Sequence, residues 1–184
     1  HLPLGEGGAD RRVVMQAPKN GFFYVLDAAD GELISATPFT AQNWTTGEFD
    51  ENGRPVLIEE AVDLALYAVV PGPTGAHNWH PMAFNPDTGL VYIPVNEIPF
   101  FYDKTRNVEN SKSWWNVGYD VAAGWPVEYP AGTLDAVADL DGGSLLAWDP
   151  VKAEPRWAVP FALPLNGGVL STDAGLVFQG NKFG

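Results

Sequence analysis

The sequence contains no cysteine. This absence excludes disulfides, Cys-ligated zinc, thiol catalysis and covalently attached c-type haem within the chain. No apolar run approaches the roughly 18 residues that a membrane-spanning helix needs, so no span is expected. No secretory signal is present either. The chain opens at His1 in a loop-like, glycine-rich stretch, which we interpret as the start of a processed or truncated product.

Basic residues are scarce, with 10 Lys and Arg against 23 Asp and Glu, for a formal net charge of −13. Nucleic acids and anionic membranes bind basic faces, so neither is expected as a partner. An anionic small molecule held by a local lysine is still compatible with this charge. Hydrophobic residues make up 46% of the chain, which indicates a globular rather than a disordered protein.

Turn-forming and aromatic residues are abundant, with 20 Gly, 16 Pro and 12% aromatics, and this composition favours many short strands. Pro18-Lys-Asn-Gly21 is a strong hairpin signal before the apolar run Phe22–Leu26. Helical character is limited to 59–70, whose second half is equally readable as a strand. An irregular excursion over 96–140 is long enough to suggest a functional loop. The chain is therefore predicted to be all-β with irregular loop insertions.

A weak internal repeat supports a more specific architecture. Each copy has two apolar residues, an Asp or Asn, a short turn and an apolar strand, and the copies cover 24–34, 82–92 and 146–157. The polar side chain of each copy is placed to accept hydrogen bonds from the N–H groups of its turn. These residues are Asp27, Asn85 and Asp149. Repeated four-stranded units of this kind indicate β-propeller blades.

The stretch from Gly72 to Pro94 holds two of the three histidines, His77 and His80, on either side of an Asn-Trp pair. An exposed turn rarely requires these residue types, so we expect them to face a ligand or a buried partner. A His-x-x-His spacing indicates a metal only when a third ligand is evident, and none is marked here. A structural, hydrogen-bonding role for the histidines is favoured.

Four segments together closely resemble the pyrroloquinoline-quinone (PQQ) dependent alcohol dehydrogenases, with the quinohaemoprotein type as the nearest branch. These segments are Met15–Asp27, Gly75–Pro94, Gly143–Pro150 and Asn166–Gly180. The resemblance extends over nearly the whole chain. It implies an eight-bladed propeller, of which residues 1–184 form a partial domain, the C-terminal half, without a haem domain.

The resemblance also implies an activity. Enzymes of this family oxidise primary alcohols to aldehydes in the periplasm, with hydride transfer to PQQ beside a Ca²⁺ ion. By resemblance, the general base and the calcium ligands belong to stretches before His1, so no catalytic residue or metal ligand is expected here. The implied partners are a small alcohol, an electron acceptor such as a cytochrome c, and the missing N-terminal half of the propeller or a partner chain. Alone, the chain is expected to be inactive and to expose strand edges and apolar faces.

The resemblance assigns four residues to PQQ binding: Lys19, Asn78, Trp79 and Val169. PQQ is an ortho-quinone with three carboxylates, and a fixed ammonium would stabilise its more anionic reduced state. The residues themselves also admit plainer interpretations. Lys19 could be a solvated turn lysine, Asn78 an ordinary turn amide, Trp79 a core indole, and the turn at 166–169 a connection between blades.

The remaining tryptophans are interpreted as structural. Trp148 and Trp157 resemble the residues that dock one blade on another, while those of the excursion are packing groups or a channel wall; these are Trp114, Trp115 and Trp125. Leu165 is a departure, because many relatives carry Trp before Asn-Gly-Gly. A non-catalytic propeller scaffold without cofactor is the alternative function, although such a scaffold has no need of Lys19, Asn78 and Trp79 together.

Overall fold

The computed structural model describes residues 1–62, 68–101 and 142–181. The predictions for Trp114, Trp115 and Trp125 lie outside these ranges. Within them the chain forms thirteen strands, one short helix, α1 (Glu59–Val62), and a 3₁₀ turn at Glu6–Gly8. The strands are β1 (Val13–Gln16), β2 (Phe22–Asp27), β3 (Leu33–Pro38), β4 (Thr45–Phe49), β5 (Pro55–Leu57), β6 (Ala68–Val69), β7 (Ala83–Asn85), β8 (Leu90–Asn96), β9 (Phe100–Phe101), β10 (Gly143–Asp149), β11 (Glu154–Phe161), β12 (Val169–Ser171) and β13 (Val177–Gln179).

The largest sheet has four antiparallel strands in the order β11-β10-β8-β7. Neighbouring strands run antiparallel and stand in chain order, with β9 inserted between β8 and β10, and this is the up-and-down arrangement of a propeller blade. A second sheet contains β1, β2 and β3, and three pairs complete the described strands: β4-β5, β6-β9 and β12-β13. The prediction of an all-β fold is confirmed.

The three repeat copies form hairpin turns with the predicted chemistry. Asp27, Asn85 and Asp149 each end a strand and turn a side-chain oxygen back onto the following loop. Their Oδ1 atoms accept hydrogen bonds from the backbone N–H two residues on, at 2.6, 2.9 and 3.1 Å respectively. Each carboxylate or amide therefore closes its own hairpin, as predicted for turn residues.

One apolar core joins the first sheet to the four-stranded sheet. Phe23 and Val25 of β2 pack in the same cluster as Ile93 of β8 and Trp148 of β10. The rings of Phe23 and Trp148 lie 5.8 Å apart between centroids. Trp148 is thus a packing residue, as predicted, whereas Trp157 on β11 is 41% exposed.

Element boundaries differ from the predictions in three places. The ambiguous stretch 59–70 begins as helix α1 and ends as β6, so both interpretations apply to part of it. The turn predicted at 166–169 ends at Gly168, because Val169 already begins β12. The excursion predicted from residue 96 contains β9, which pairs with β6, and its residues 102–140 lie outside the described ranges.

Asp27 predicts an acid-dependent contribution to stability. A hydrogen bond from the Ala29 N–H and then the Arg11 guanidinium hold the pKa of Asp27 below its ordinary value of 3.8. A carboxyl with a lowered folded-state pKa stabilises the fold above its unfolded pKa, and this contribution is lost as pH falls through the folded pKa. Asp27→Asn should therefore lower the thermal midpoint at pH 7. The difference in thermal midpoint between the variant and the wild type should close as pH falls below about 4. A gap that is constant between pH 7 and pH 3 would contradict this account.

Candidate functional site

Hydrogen bonds and close packing connect three loops of the described chain. We call them the Lys19 loop (17–21, between β1 and β2), the Asn78 loop (72–81, between β6 and β7) and the Asn166 loop (162–168, between β11 and β12). Together they carry or adjoin all four residues predicted to bind a cofactor. Their positions therefore decide whether those residues can act on one ligand.

The Lys19 loop and the Asn78 loop are joined by backbone and side-chain hydrogen bonds. The Ala76 N–H donates to the Lys19 carbonyl at 2.9 Å. The Lys19 ammonium donates to the Pro73 carbonyl at 3.1 Å and is otherwise exposed. Because the bond to Pro73 occupies one of three ammonium donors, Lys19 keeps N–H groups for a ligand.

Gly75 permits this close approach of the two loops. Its φ is +80°, a conformation that side chains rarely adopt. A Cβ built on Gly75 would lie 2.5 Å from the Cβ of Lys19 and 2.7 Å from its Cα. The Lys19 side chain therefore packs directly against Gly75, and only glycine fits at position 75. The sequence analysis did not assign this role to Gly75.

Asn78 and Trp79 are presented at the surface of the Asn78 loop. The Asn78 amide donates to the Thr74 carbonyl at 3.0 Å, which fixes the side chain across its own loop. Trp79 is 79% exposed, so its interpretation as a core indole is wrong. The indole stacks on the His80 ring, with 4.2 Å between centroids and 24° between planes.

The two histidines are buried beneath this surface. His77 lies 2.5 Å through Nδ1 from the Ala17 carbonyl and 2.7 Å through Nε2 from the His80 carbonyl, which confirms its hydrogen-bonding role. Burial, and then the neighbouring His77, lower the pKa of His80 below 6.5. Within the described residues, no group of three His, Cys, Asp or Glu side chains could hold a metal ion.

The Asn166 loop packs on the end of the Asn78 loop. The Val169 N–H donates to the Pro81 carbonyl at 2.8 Å. A Cβ on Gly168 would lie 2.8 Å from Cγ of the Pro81 ring, so glycine is required for this contact. The Val169 side chain packs with Tyr92 and Leu145 in a second apolar cluster. The contact of Val169 with the cofactor stays a prediction.

Asn96 is a connecting residue that the sequence analysis missed. Its buried Oδ1 accepts a hydrogen bond from the Leu165 N–H at 2.7 Å, and its own N–H donates to the Ala76 carbonyl at 2.7 Å. Leu165 adopts a φ of +59°, and its side chain, where the resemblance expects Trp, is exposed. No local sequence pattern marks this link, because Leu165 lies 69 residues from Asn96 along the chain.

The connected loops present an ammonium, an amide and a flat aromatic ring. A planar ligand that carries an anionic group fits this set, because the ammonium can pair with an anionic oxygen and the indole offers a stacking face. The net charge of −13 opposes the approach of an anion, so Lys19 has to supply attraction locally. The groups that these loops present are suited to binding such a ligand.

Comparison with curated proteins finds similar sequences over nearly the whole chain. It is 43% identical over 196 residues to the quinohemoprotein alcohol dehydrogenase ADH-IIG of Pseudomonas putida, covering 100% of this chain and 27% of that protein. It is 46% identical over 185 residues to ADH IIB of the same species, covering 98% and 25%. The chain thus spans about a quarter of the length of these relatives. No family model matches it.

Solved structures agree with the sequences. The structure of ADH-IIG from P. putida HK5 matches with a TM-score of 0.76 at 42% identity, over 95% of this chain and 26% of that one. The quinohemoprotein alcohol dehydrogenase of Comamonas testosteroni gives 0.69 at 40% identity, over 94% and 26%. The fold is therefore part of a quinoprotein dehydrogenase β-propeller, as predicted.

Within that class, the chain is homologous to a segment of the quinohemoprotein alcohol dehydrogenases. The predicted resemblance is confirmed by this homology. Across the described ranges, none of the helices has the length and apolar character needed to cross a membrane.

Proposed function

We propose that this chain forms one wall of the PQQ site of an alcohol dehydrogenase that oxidises primary alcohols to aldehydes. The observation that carries the proposal is the pair of hydrogen bonds that connects the Lys19 loop to the Asn78 loop, which presents Asn78 and Trp79. The homology to a quarter of the quinohemoprotein alcohol dehydrogenases supports the same conclusion. When bound, PQQ would supply the two-electron acceptor for the alcohol.

The roles of the residues follow from their chemistry. Lys19 would pair with quinone or carboxylate oxygens, and it would favour the reduced cofactor by offsetting its added negative charge. The Asn78 amide would hydrogen-bond the rim of the ring system. The Trp79 indole, supported by His80, would exclude water from the cofactor. This part of the enzyme would thus bind and orient, while proton abstraction falls to a base outside it.

The proposal extends to parts that this chain does not hold. Ca²⁺ would be bound beside PQQ by ligands outside the chain, and it would act there as a Lewis acid. A cytochrome c is a fitting electron acceptor, since a 39% identical relative from Thauera butanivorans is named 1-butanol dehydrogenase (cytochrome c). Such an acceptor, together with the family resemblance, supports a periplasmic location. The rest of the propeller would complete the site.

Lys19→Met tests the proposal in the full-length enzyme, because it keeps most of the unbranched side chain and removes the charge. Lost charge-assisted bonds, each worth about 1.5–3 kcal/mol, should weaken PQQ binding by roughly 10- to 100-fold. The measurement is a titration of the calcium-loaded apoenzyme with PQQ, followed by quinone absorbance.

Lys152→Met is the matched control, because Lys152 is also an exposed turn lysine but lies at the far hairpin between β10 and β11. It should leave the PQQ affinity unchanged. Failure of the wild-type enzyme to bind PQQ would favour the scaffold interpretation. Equal losses in the two variants would show that Lys19 acts only through overall charge.

A further inference from the structure

His77 lies where the Lys19 loop and the Asn78 loop meet, and these two loops carry Lys19, Asn78 and Trp79. Its side chain is 4% exposed, and both ring nitrogens face carbonyl oxygens. One carbonyl belongs to Ala17, two residues before Lys19, and the other to His80, immediately after Trp79. A single ring therefore spans two segments that are 60 residues apart in sequence.

The bridge places one carbonyl oxygen against each of the two ring nitrogens of His77. Carbonyl oxygens only accept, and an imidazole carries nitrogens on opposite sides of one rigid ring. One N–H serves one carbonyl in either neutral tautomer, and the doubly protonated ring donates to both. Phenylalanine would fill a similar volume without any donor. Glutamine could reach one carbonyl through its amide but could not span the pair in the same way.

We propose that His77 is a positioning residue, which sets the distance between Lys19 and the Asn78-Trp79 pair and thereby determines PQQ affinity. The proposal rests on the proposed function of these loops in PQQ binding. The Ala76 to Lys19 backbone bond at 2.9 Å holds the loops at one point, and His77 fixes a second point. With two points fixed, the loops cannot rotate about the first bond. The Lys19 backbone is then held at a constant distance from Asn78 and Trp79, and the bond from its ammonium to the Pro73 carbonyl keeps the side chain against the same loop.

His77→Phe in the full-length enzyme tests this role. PQQ titration should show an affinity at least tenfold lower than wild type, and His77→Gln should give a smaller loss because it keeps one donor. Should His77→Phe fail to fold, the His77→Gln affinity decides. Val91→Ala is the control for general destabilisation, since Val91 is a fully buried residue of β8 beside the Asn85 turn. It should lower the thermal midpoint while leaving PQQ affinity unchanged.

A double-mutant cycle separates positioning from mere structural support. If His77 acts by placing Lys19, then His77→Phe combined with Lys19→Met should lose less affinity than the product of the two single losses. Strict multiplicativity, wild-type affinity in His77→Phe, or an equal loss in Val91→Ala would overturn the inference. If wild type itself binds no PQQ, the proposed function fails and this inference fails with it. If wild type binds and His77→Phe binds equally, only the inference fails.

Discussion

Gly75→Ala is expected to lower the PQQ affinity of the full-length enzyme by at least tenfold, because the new methyl group has no room. Its Cβ would lie 2.5 Å from the Lys19 Cβ and 2.7 Å from the Lys19 Cα. The Cα and Cβ of Lys19 keep their positions in every side-chain rotamer, so a change of rotamer cannot relieve these contacts. Either the Lys19 loop or the Asn78 loop has to move, and the ammonium moves with it. Titration with PQQ measures the loss.

Gly31→Ala is a closely matched control for this substitution. Gly31 has a φ of +81°, against +80° for Gly75, and no other described residue comes within 4 Å of its built Cβ. Both alanines carry the strain of a left-handed backbone, about 1–2 kcal/mol. Gly31→Ala should therefore lower stability without changing PQQ affinity. Equal affinities in the two variants would show that the collision with Lys19 does not matter for binding.

Trp148→Ala is expected to be the most destabilising substitution in the described core. Trp148 is 2% exposed and packs against Phe23 across the contact between the two main sheets. Truncating a buried tryptophan to alanine costs roughly 3–5 kcal/mol, because apolar contacts are lost and a cavity is left. Thermal or denaturant unfolding, followed by circular dichroism, should show a large fall in the midpoint.

Two further variants show whether burial is the cause. Trp148→Phe should cost much less than Trp148→Ala, because it keeps most of the apolar volume and removes a buried indole N–H without an acceptor among the described residues. Trp157→Ala should also have a smaller effect, since Trp157 is 41% exposed on β11. A Trp157→Ala midpoint as low as that of Trp148→Ala would contradict the position of the core.

Local turn chemistry explains why the hairpins could be predicted. The Asn20 side chain accepts from the Phe22 N–H at 3.2 Å, and Asn85 accepts from Asp87 and Thr88 within its own turn. These interactions are between near neighbours, so a short stretch of sequence contains all the partners. Strand type and turn position follow directly from such stretches.

The assembly of the site depends on partners that are distant in sequence. Asn96 bonds Leu165 across 69 residues, and His77 bonds Ala17 across 60. No local pattern marks either pairing. Gly75 reads as one of several loop glycines until the Lys19 stem is found against it. The resemblance identified Lys19, Asn78 and Trp79 as candidates, and the geometry adds the residues that hold them.

The exposure of Trp79 is another feature that only the fold shows. An indole in an apolar-rich chain is more often buried than exposed, so the core interpretation was reasonable from composition. The stacked His80 ring supports the indole from below and leaves its outer face open. Only the fold of the Asn78 loop decides which face is covered.

The central claim is that Lys19, Asn78 and Trp79 face one bound PQQ molecule. A crystal structure of the full-length enzyme with PQQ and Ca²⁺ tests it most directly. The account predicts the Lys19 ammonium and the Asn78 amide within hydrogen-bonding distance of cofactor oxygens, with His77 still bridging the Ala17 and His80 carbonyls. PQQ bound away from the Lys19 and Asn78 loops, or Lys19 turned to solvent in the loaded enzyme, would contradict it.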